Sequence, residues 1–379
     1  MKVLLLGKFP PGQGGISAKT YWLCRALVSH GFEFDVVTMV PSLYASDRQA
    51  EPLDGVRMKT LPTDPDGTPW FLPGGTLPTE RLVAAALAVS EDQTPDIVET
   101  NYLAPYGLAA FAVSSLLGCP LLVRHAGSDV AKLLTWEPVR MALEGVLARA
   151  RLVITNEDAS VNVRSRASKL VVLPRYAPDP TFAEARGTPR GGTVLLLAGK
   201  LNYHWRLKAL DTLLAALQLR PAWTVLAVAD GTGRQAFEAA ITEYGLSGRV
   251  TLRPFVPPNQ MPELLRSVSA VWAVERPGSF SDFSNSVWEA LACQRPCLVS
   301  AAVLQRPDAR LIRSSPFLVT VDAEDPKSVA TALDDAVTGT TFAVADDWLK
   351  LHTDYVSQNI EAYLQLLRCD QQKSKGVSR

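Results

Sequence analysis

Residues 273–300 read AVERPGSFSDFSNSVWEALACQRPCLVS. The stretch divides into a glycine- and serine-rich loop, Gly278 to Ser284, a helix start, Asn285 to Cys293, and a buried strand, Pro296 to Val299. Ser284 or Asn285 is placed to cap the helix. A cap side chain accepts one orphan N–H of the first turn, and the remaining N–H groups are open to an anion. Glu289 follows one turn inside. Free N–H groups beside a carboxylate suit a ligand that carries both phosphates and hydroxyls. A plain loop–helix–strand unit with a solvated Glu289 has the same letters, so the neighbouring segments have to discriminate.

Upstream, Thr193–Ala198 reads as a strand that ends at Gly199-Lys200, with Lys208 at the start of a helix over Leu207–Leu217. Two lysines around a strand-to-helix connection can neutralise a pyrophosphate as point charges, with the helix dipole adding to the field; exposed surface lysines are the plainer alternative. Trp223–Ala229 is a second strand, running into the glycine turn Asp230-Gly231-Thr232-Gly233. A short strand Arg249–Leu252, a segment Arg253–Pro258, a helix Asn259–Arg266 and a strand Ala270–Val274 complete the approach to the opening stretch. Beyond it, helices over Asp308–Arg313 and Asp325–Val337 flank a strand Phe317–Val321. The tail Asp346–Arg368 is amphipathic, and the last ten residues are polar and expected to be disordered. Trp205, Trp272 and Trp288 are read as core or cleft wall rather than sugar platforms.

The first half shows the same alternation. Val3–Leu6 is a strand, Phe9–Gly15 a turn-rich loop, Ile16–His30 a helix and Phe34–Thr38 a strand, which makes a βαβ unit of a parallel sheet. Gly12, Gly14 and Gly15 lie beyond the first strand's carboxyl end, where such sheets bind ligands. Residues 41–78 are rich in Pro, Gly and Asp and read as a long, partly ordered excursion. Helices over Pro78–Val89, Pro105–Leu117 and Trp136–Ala150 alternate with strands Asp96–Glu99, Leu121–Arg124 and Leu152–Thr155. His125-Ala126-Gly127-Ser128-Asp129 follows a strand end, which favours a functional His125; Asp129 also makes a helix cap. The basic run Arg164, Arg166, Lys169, Arg175 reads as a solvated face. Residues 174–192, dense in Pro and Gly, are the best domain boundary.

A chain of 379 residues is too long for one core, so two domains are expected. The 38 basic side chains balance 38 acidic ones, which argues against a nucleic-acid binder and a strongly basic membrane surface. Cys24, Cys119, Cys293, Cys297 and Cys369 are scattered and odd in number, as suits reduced thiols in the cytoplasm. Cys293 and Cys297 have no histidine near them and read as packed thiols, so no metal site is expected. The apolar run of the N-terminus is too short for a signal peptide, and no stretch is long enough to span a membrane.

The glycine pair after the first strand, the Gly127-Ser128-Asp129 cluster, Gly199-Lys200 with Lys208, Asp230-Gly231-Thr232-Gly233, and Phe283-Ser284-Asn285 with Glu289-Ala290-Leu291-Ala292-Cys293 occur in the order and spacing of a known family. The chain resembles the family-four retaining glycosyltransferases (glycosyl transferase group 1) over its whole length, most closely in the second half. The resemblance implies an α/β GT-B fold, two facing Rossmann-like domains with a cleft between them. Residues 1–180 would be the acceptor domain and 193–340 the nucleotide-sugar domain; 341–379 would hold a helix packing back on the first domain and a polar tail. It implies transfer of a sugar, with retention and without a metal, from a nucleotide-diphosphate sugar to a hydroxyl of a small molecule, lipid-linked sugar or glycan. No cofactor beyond that donor substrate, no nucleic acid and at most a peripheral membrane contact are implied.

In that frame Lys200 and Lys208 would grip the donor diphosphate, and the amides around Ser284, Asn285 and Ser286 would bind phosphate. Glu289 would accept from the ribose hydroxyls, Phe255 and Val256 would lie beside the base, and Gly231 would belong to the donor site. Gly14 and Gly15 would let the reacting groups approach, and His125 would contact the donor sugar or developing charge. Departures concern the sugar. The family's first glutamate falls on Ser281, with Asp282 adjacent and Glu275 six residues upstream as substitutes; Ala126 holds the usual histidine slot; and the usual Lys-Gly is Lys208-Ala209. Competing functions are a phosphorylase on the same scaffold, for which no cofactor-phosphate lysine motif is present, and a non-catalytic nucleotide-sugar binder, suggested by Ser281.

Overall fold

The structure is a computed structural model and describes residues 1–40, 51–63, 78–124, 128–174, 176–184, 192–202, 204–278, 284–338 and 346–376. The chain divides into two compact units, Met1–Arg175 with Thr353–Arg379, and Tyr176–His352.

The chain forms parallel strands, and the apolar runs among them are buried because helices cover the sheet. In the first unit these are β1 (Lys2–Leu6), β2 (Glu33–Val40), β3 (Val56–Pro62), β4 (Ile97–Thr100), β5 (Leu121–Arg124), β6 (Leu152–Thr155) and β7 (Leu170–Val172). Their order is β3-β2-β1-β4-β5-β6-β7, and every described pairing is parallel. The second unit holds β8 (Thr193–Lys200), β9 (Trp223–Asp230), β10 (Val250–Arg253), β11 (Ala270–Ala273), β12 (Cys297–Ser300) and β13 (Leu318–Val321). These pair in the order β10-β9-β8-β11-β12-β13, again in parallel. Each sheet therefore reverses its strand order once, beside β1 in the first unit and beside β8 in the second.

Two strands lie where none was expected. β3 falls inside the supposed excursion of residues 41–78 and pairs with β2 from Phe34↔Val56 to Val40↔Pro62. It is an edge strand with mostly exposed side chains, VRMKTLP, so it carries no apolar run. Arg57 on β3 makes a two-pronged ion pair with the buried Asp35 of β2, at 2.6 and 2.8 Å. β7 is a three-residue edge strand within the basic stretch. The final helix runs over Asp346–Gly376 and so takes in most of the polar end that was expected to be disordered.

From Thr353 onward that helix belongs to the first unit. A buried ion pair lies beneath it: Arg124 Nε meets Glu99 Oε1 at 2.9 Å. Arg124 Nη1 donates to Asn359 Oδ1 at 2.7 Å, and Tyr363 donates its hydroxyl proton to Glu99 Oε2. The ring of Tyr363 packs edge-on against Phe32, with centroids 5.1 Å apart. Charge and apolar contact together dock the helix.

Candidate functional site

Parallel α/β sheets take ligands beyond the carboxyl ends of their strands, where the strand order reverses. In the second sheet that place lies between β8 and β11. β8 ends at Lys200, which is exposed, and the segment leaving β11 carries Glu275 and Arg276. Lys208 comes back to the same strand end. Its ammonium lies 3.0 Å from where a Cβ on Gly199 would stand. Burial holds that ammonium's pKa below the ordinary lysine value; the Glu275 carboxylate opposes the shift and the Lys200 charge adds to it. The structure thus brings Lys200 and Lys208 together, with Glu275 close enough to act on Lys208.

The turn that carries Lys208 is pinned from the β11 side. Residues Trp205–Lys208 form a single 3-10 turn, and the helix proper is Leu210–Leu219 rather than one beginning at Leu207. Ala209 joins the two in the left-handed region, φ 49° and ψ 34°. Trp272 Nε1 donates to the Lys208 carbonyl at 2.9 Å. The Arg276 amide donates to the Leu207 carbonyl at 2.8 Å, and its guanidinium donates to the Arg206 carbonyl at 2.8 Å. The guanidinium also meets Asp211 at 3.0 Å and Glu324 at 2.7 Å. Trp205, Trp272 and Trp288 are all buried, as core or wall.

Gly231 follows β9, with φ 146°. A Cβ there would stand 2.3 Å from the Leu201 carbonyl oxygen, so glycine is demanded by loop packing against residues 201–202. Gly233 donates its N–H to that same carbonyl at 2.8 Å. The residue expected in the donor site has a structural reason for being glycine.

The helix of the opening stretch is Asn285–Ala292, and every one of its residues is buried. Ser284 sits at its N-cap but makes no capping bond; its hydroxyl pairs with Ser286 Oγ at 2.7 Å. The Ser284 side chain thus caps no first-turn N–H, while its carbonyl accepts from the Val287 amide at 3.2 Å. Glu289 is buried, against the solvated alternative, and its Oε1 accepts from the Tyr176 hydroxyl at 3.1 Å. Burial raises the Glu289 pKa to about 7, while the Tyr176 hydrogen bond works in the other direction. Trp288, one residue earlier, packs edge-on against Trp348 with centroids 6.1 Å apart.

Glu275, one candidate for the displaced first glutamate, is buried and ion-paired with Arg306 at 2.8 Å. Its backbone exchanges hydrogen bonds with the Ser300 hydroxyl at the end of β12. Ser281 and Asp282, like His125 and Ala126, lie outside the described residues. Phe255 and Val256 are half-buried in the segment after β10. Cys293 and Cys297 are free, buried thiols; burial pushes the Cys293 pKa up to about 12. Among the described residues no three His, Cys, Asp or Glu side chains gather as a metal site.

In the first unit Gly14 is the N-cap of the helix Gly15–Val28, with φ 111° and no side-chain cap. Gly15 is exposed at its start. Asn101, just past β4, spans the reversal point: its Oδ1 accepts from the Lys8 amide at 2.8 Å, and its Nδ2 donates to the Lys8 carbonyl at 3.0 Å and to Thr20 Oγ1 at 2.8 Å. It ties the glycine loop to the helix that follows. The Ser128–Leu133 helix begins one residue before Asp129, which is therefore its second residue rather than its cap.

Residues 14–176 match the family model of a glycosyl transferase 4-like domain, and residues 192–338 match that of glycosyl transferases group 1. The two models together span most of the chain. The chain belongs to the group 1 glycosyltransferases. Solved structures of this fold align with it end to end. Sucrose-phosphate synthase from Thermosynechococcus elongatus is 19% identical over 97% of this chain and 100% of that one, with TM-score 0.68. HepE from Anabaena, in complex with UDP and glucose, is 17% identical over 100% and 99%, with TM-score 0.64. The catalytic domain of starch synthase IV from Arabidopsis thaliana, bound to ADP and acarbose, is 12% identical over 97% and 99%, with TM-score 0.60. No curated protein sequence matches. The fold is GT-B, two parallel α/β domains, and no helix among the described residues is long and apolar enough to cross a membrane.

Four residues that shape the second unit carry no mark in the sequence: Tyr176, Trp272 as a donor to Lys208, Arg276 and Arg306. Tyr176 stands in a Pro- and Gly-rich stretch that reads as linker, and nothing local distinguishes it. Arg276 and Arg306 act through partners distant in sequence. Asn101 was legible in principle, as a polar residue directly after a strand's carboxyl end.

Proposed function

We propose that this glycosyltransferase moves a sugar from a nucleotide-diphosphate sugar to an acceptor hydroxyl, with retention at the anomeric carbon and without a metal ion. The observation that carries the reading is the placement of Lys200 and Lys208 together at the end of β8, at the reversal of the sheet. Two cations there neutralise a diphosphate, and the positive end of the dipole at the start of the helix Asn285–Ala292 suits the same charge. Glu289 accepts from the ribose hydroxyls as a carboxylate. The bond between the anomeric carbon and the diphosphate oxygen breaks while the acceptor oxygen bonds to that carbon on the same face. The acceptor proton passes to the departing diphosphate oxygen, giving the glycoside and a nucleoside diphosphate. Small molecules, lipid-linked sugars and glycans are the acceptor classes. HepE complexes with UDP and UDP-glucose, and a starch synthase bound to ADP, support starting with uridine and adenosine donors.

Calorimetric titration with UDP-glucose, ADP-glucose and their guanosine and thymidine counterparts tests the donor. Turnover is then followed by NMR, which also reads the anomeric configuration of the product. Tight binding of one donor, a retained anomeric configuration and activity that survives EDTA are expected. Lys200→Ala and Lys208→Ala should each lower kcat at least ~10-fold, the loss expected when one charged hydrogen bond to the leaving group goes, with a smaller effect on binding of the bare nucleoside. Absence of binding to any nucleotide would overturn the reading, and binding without turnover over a broad acceptor panel would favour a non-catalytic nucleotide-sugar binder.

A further inference from the structure

We infer that Tyr176 is a positioning residue for nucleotide binding: its hydroxyl fixes one oxygen of the Glu289 carboxylate and so presents the group, ionised and oriented, to the ribose. The inference rests on the reading of Glu289 as the ribose acceptor.

The geometry is specific. Tyr176 is 1% exposed and Glu289 5%, so neither group has bulk water to exchange partners with. The hydroxyl donates to Oε1 at 3.1 Å. A buried carboxylate without a donor protonates, because low-dielectric surroundings penalise the charge. A protonated carboxyl presents one acceptor oxygen fewer and a hydroxyl in its place, a poor match to two ribose hydroxyls that both need an acceptor. The Tyr176 bond favours the ionised form and also leaves the carboxylate one preferred plane. Tyrosine is well fitted to this role, since its rigid ring carries a donor at a fixed reach and burial of the ring holds it in place.

Other groups near this helix do not take that role. Glu263 and Arg266 lie on the helix Met261–Arg266, Cys297 on β12, and Cys293 and Arg295 at the helix's own C-terminal end. Arg266 donates to the Thr181 carbonyl, and Arg295 to the carbonyls of Leu265 and Arg266. The Glu289 shift has two causes, burial upward and the Tyr176 bond downward.

Tyr176 is also the first residue of the second unit, where the chain enters it. The hydroxyl therefore fastens the end of the connecting segment to the carboxylate.

The test is the pH dependence of donor binding. The probe is UDP-glucose or ADP-glucose, whichever binds, since the diphosphate diester keeps one charge state from pH 5.5 to 8.5. For the wild type, affinity should fall as pH drops through about 7. Tyr176→Phe removes one oxygen and keeps the ring. It should move the midpoint upward by about one pH unit and weaken binding at pH 7 by about fivefold, with the larger part of the loss on KM rather than kcat. A purely structural role would lower stability and leave the midpoint where it is; that outcome overturns the inference. Glu289→Gln separates the two levels. If Glu289→Gln leaves donor affinity unchanged, the ribose reading falls and the inference with it. If Glu289→Gln weakens binding while Tyr176→Phe keeps the wild-type pH profile, only the inference falls.

Discussion

Glu289 is a carboxyl that the fold buries at a cost to stability. Its pKa is raised to about 7 by burial. The folded protein therefore holds a proton on Glu289 between pH 4.5 and 7 that the unfolded chain has released. Stability consequently falls as pH rises through that window, and the full penalty applies above it. The shift corresponds to about 3 kcal/mol at most. Glu289→Gln should remove this term, so the variant should gain stability over the wild type at pH 8 and lose the advantage at pH 5. Urea denaturation of both proteins at the two pH values checks the sign; an advantage that is larger at pH 5 would reject it. The sequence places Glu289 one turn into the helix, and the structure has it as the fifth of that helix's 8 residues, but its letters carry no record of burial. That burial comes from Tyr176, 113 residues away in the chain, and from the covering of every face of the helix.

At the scale of elements, the turn Trp205–Lys208 matters more than the helix after it. The leucine spacing of 207–217 suggests a helix running straight through Lys208, and periodicity alone cannot register a single left-handed residue. Ala209 breaks the run, and the break aims the Lys208 ammonium back at Gly199. A left-handed alanine costs about 1 kcal/mol, so neighbouring contacts must hold it; Trp272 and Arg276 supply them. Trp272→Phe keeps an aromatic ring in the core and removes the donor to the Lys208 carbonyl. It should cost about 1–3 kcal/mol of stability and, with Lys208 in its proposed role on the diphosphate, lower kcat by about tenfold or more, because small displacements of such a group are expensive. Thermal unfolding and steady-state kinetics report the two effects; a variant equal to wild type in both would show that the bond does no positioning. The parallel sheets themselves were legible, since β1, β5, β6, β8 and β9 are short apolar runs ended by polar or glycine turns. Strands β3 and β7 were not, because an edge strand with exposed faces needs no apolar pattern.

For the whole molecule, the buried pair Glu99–Arg124 holds the final helix onto the first sheet through Asn359 and Tyr363. Removing one partner of such a pair strands the other charge. Arg124→Met should therefore destabilise the protein by about 3–5 kcal/mol, read by chemical denaturation, and a loss below about 1 kcal/mol would mean that water already reaches Glu99. Neither residue was marked in the sequence beyond lying in a strand, because the partners come from opposite ends of the chain. The chain passes between the two units twice, entering the second at Tyr176 and leaving it at His352. Residues at or beside both crossings rest on the same helix, Tyr176 on Glu289 and Trp348 on Trp288. If the proposed donor binds at that helix, reciprocity applies: whatever factor its affinity gains from tightened crossings, the crossings gain from the donor.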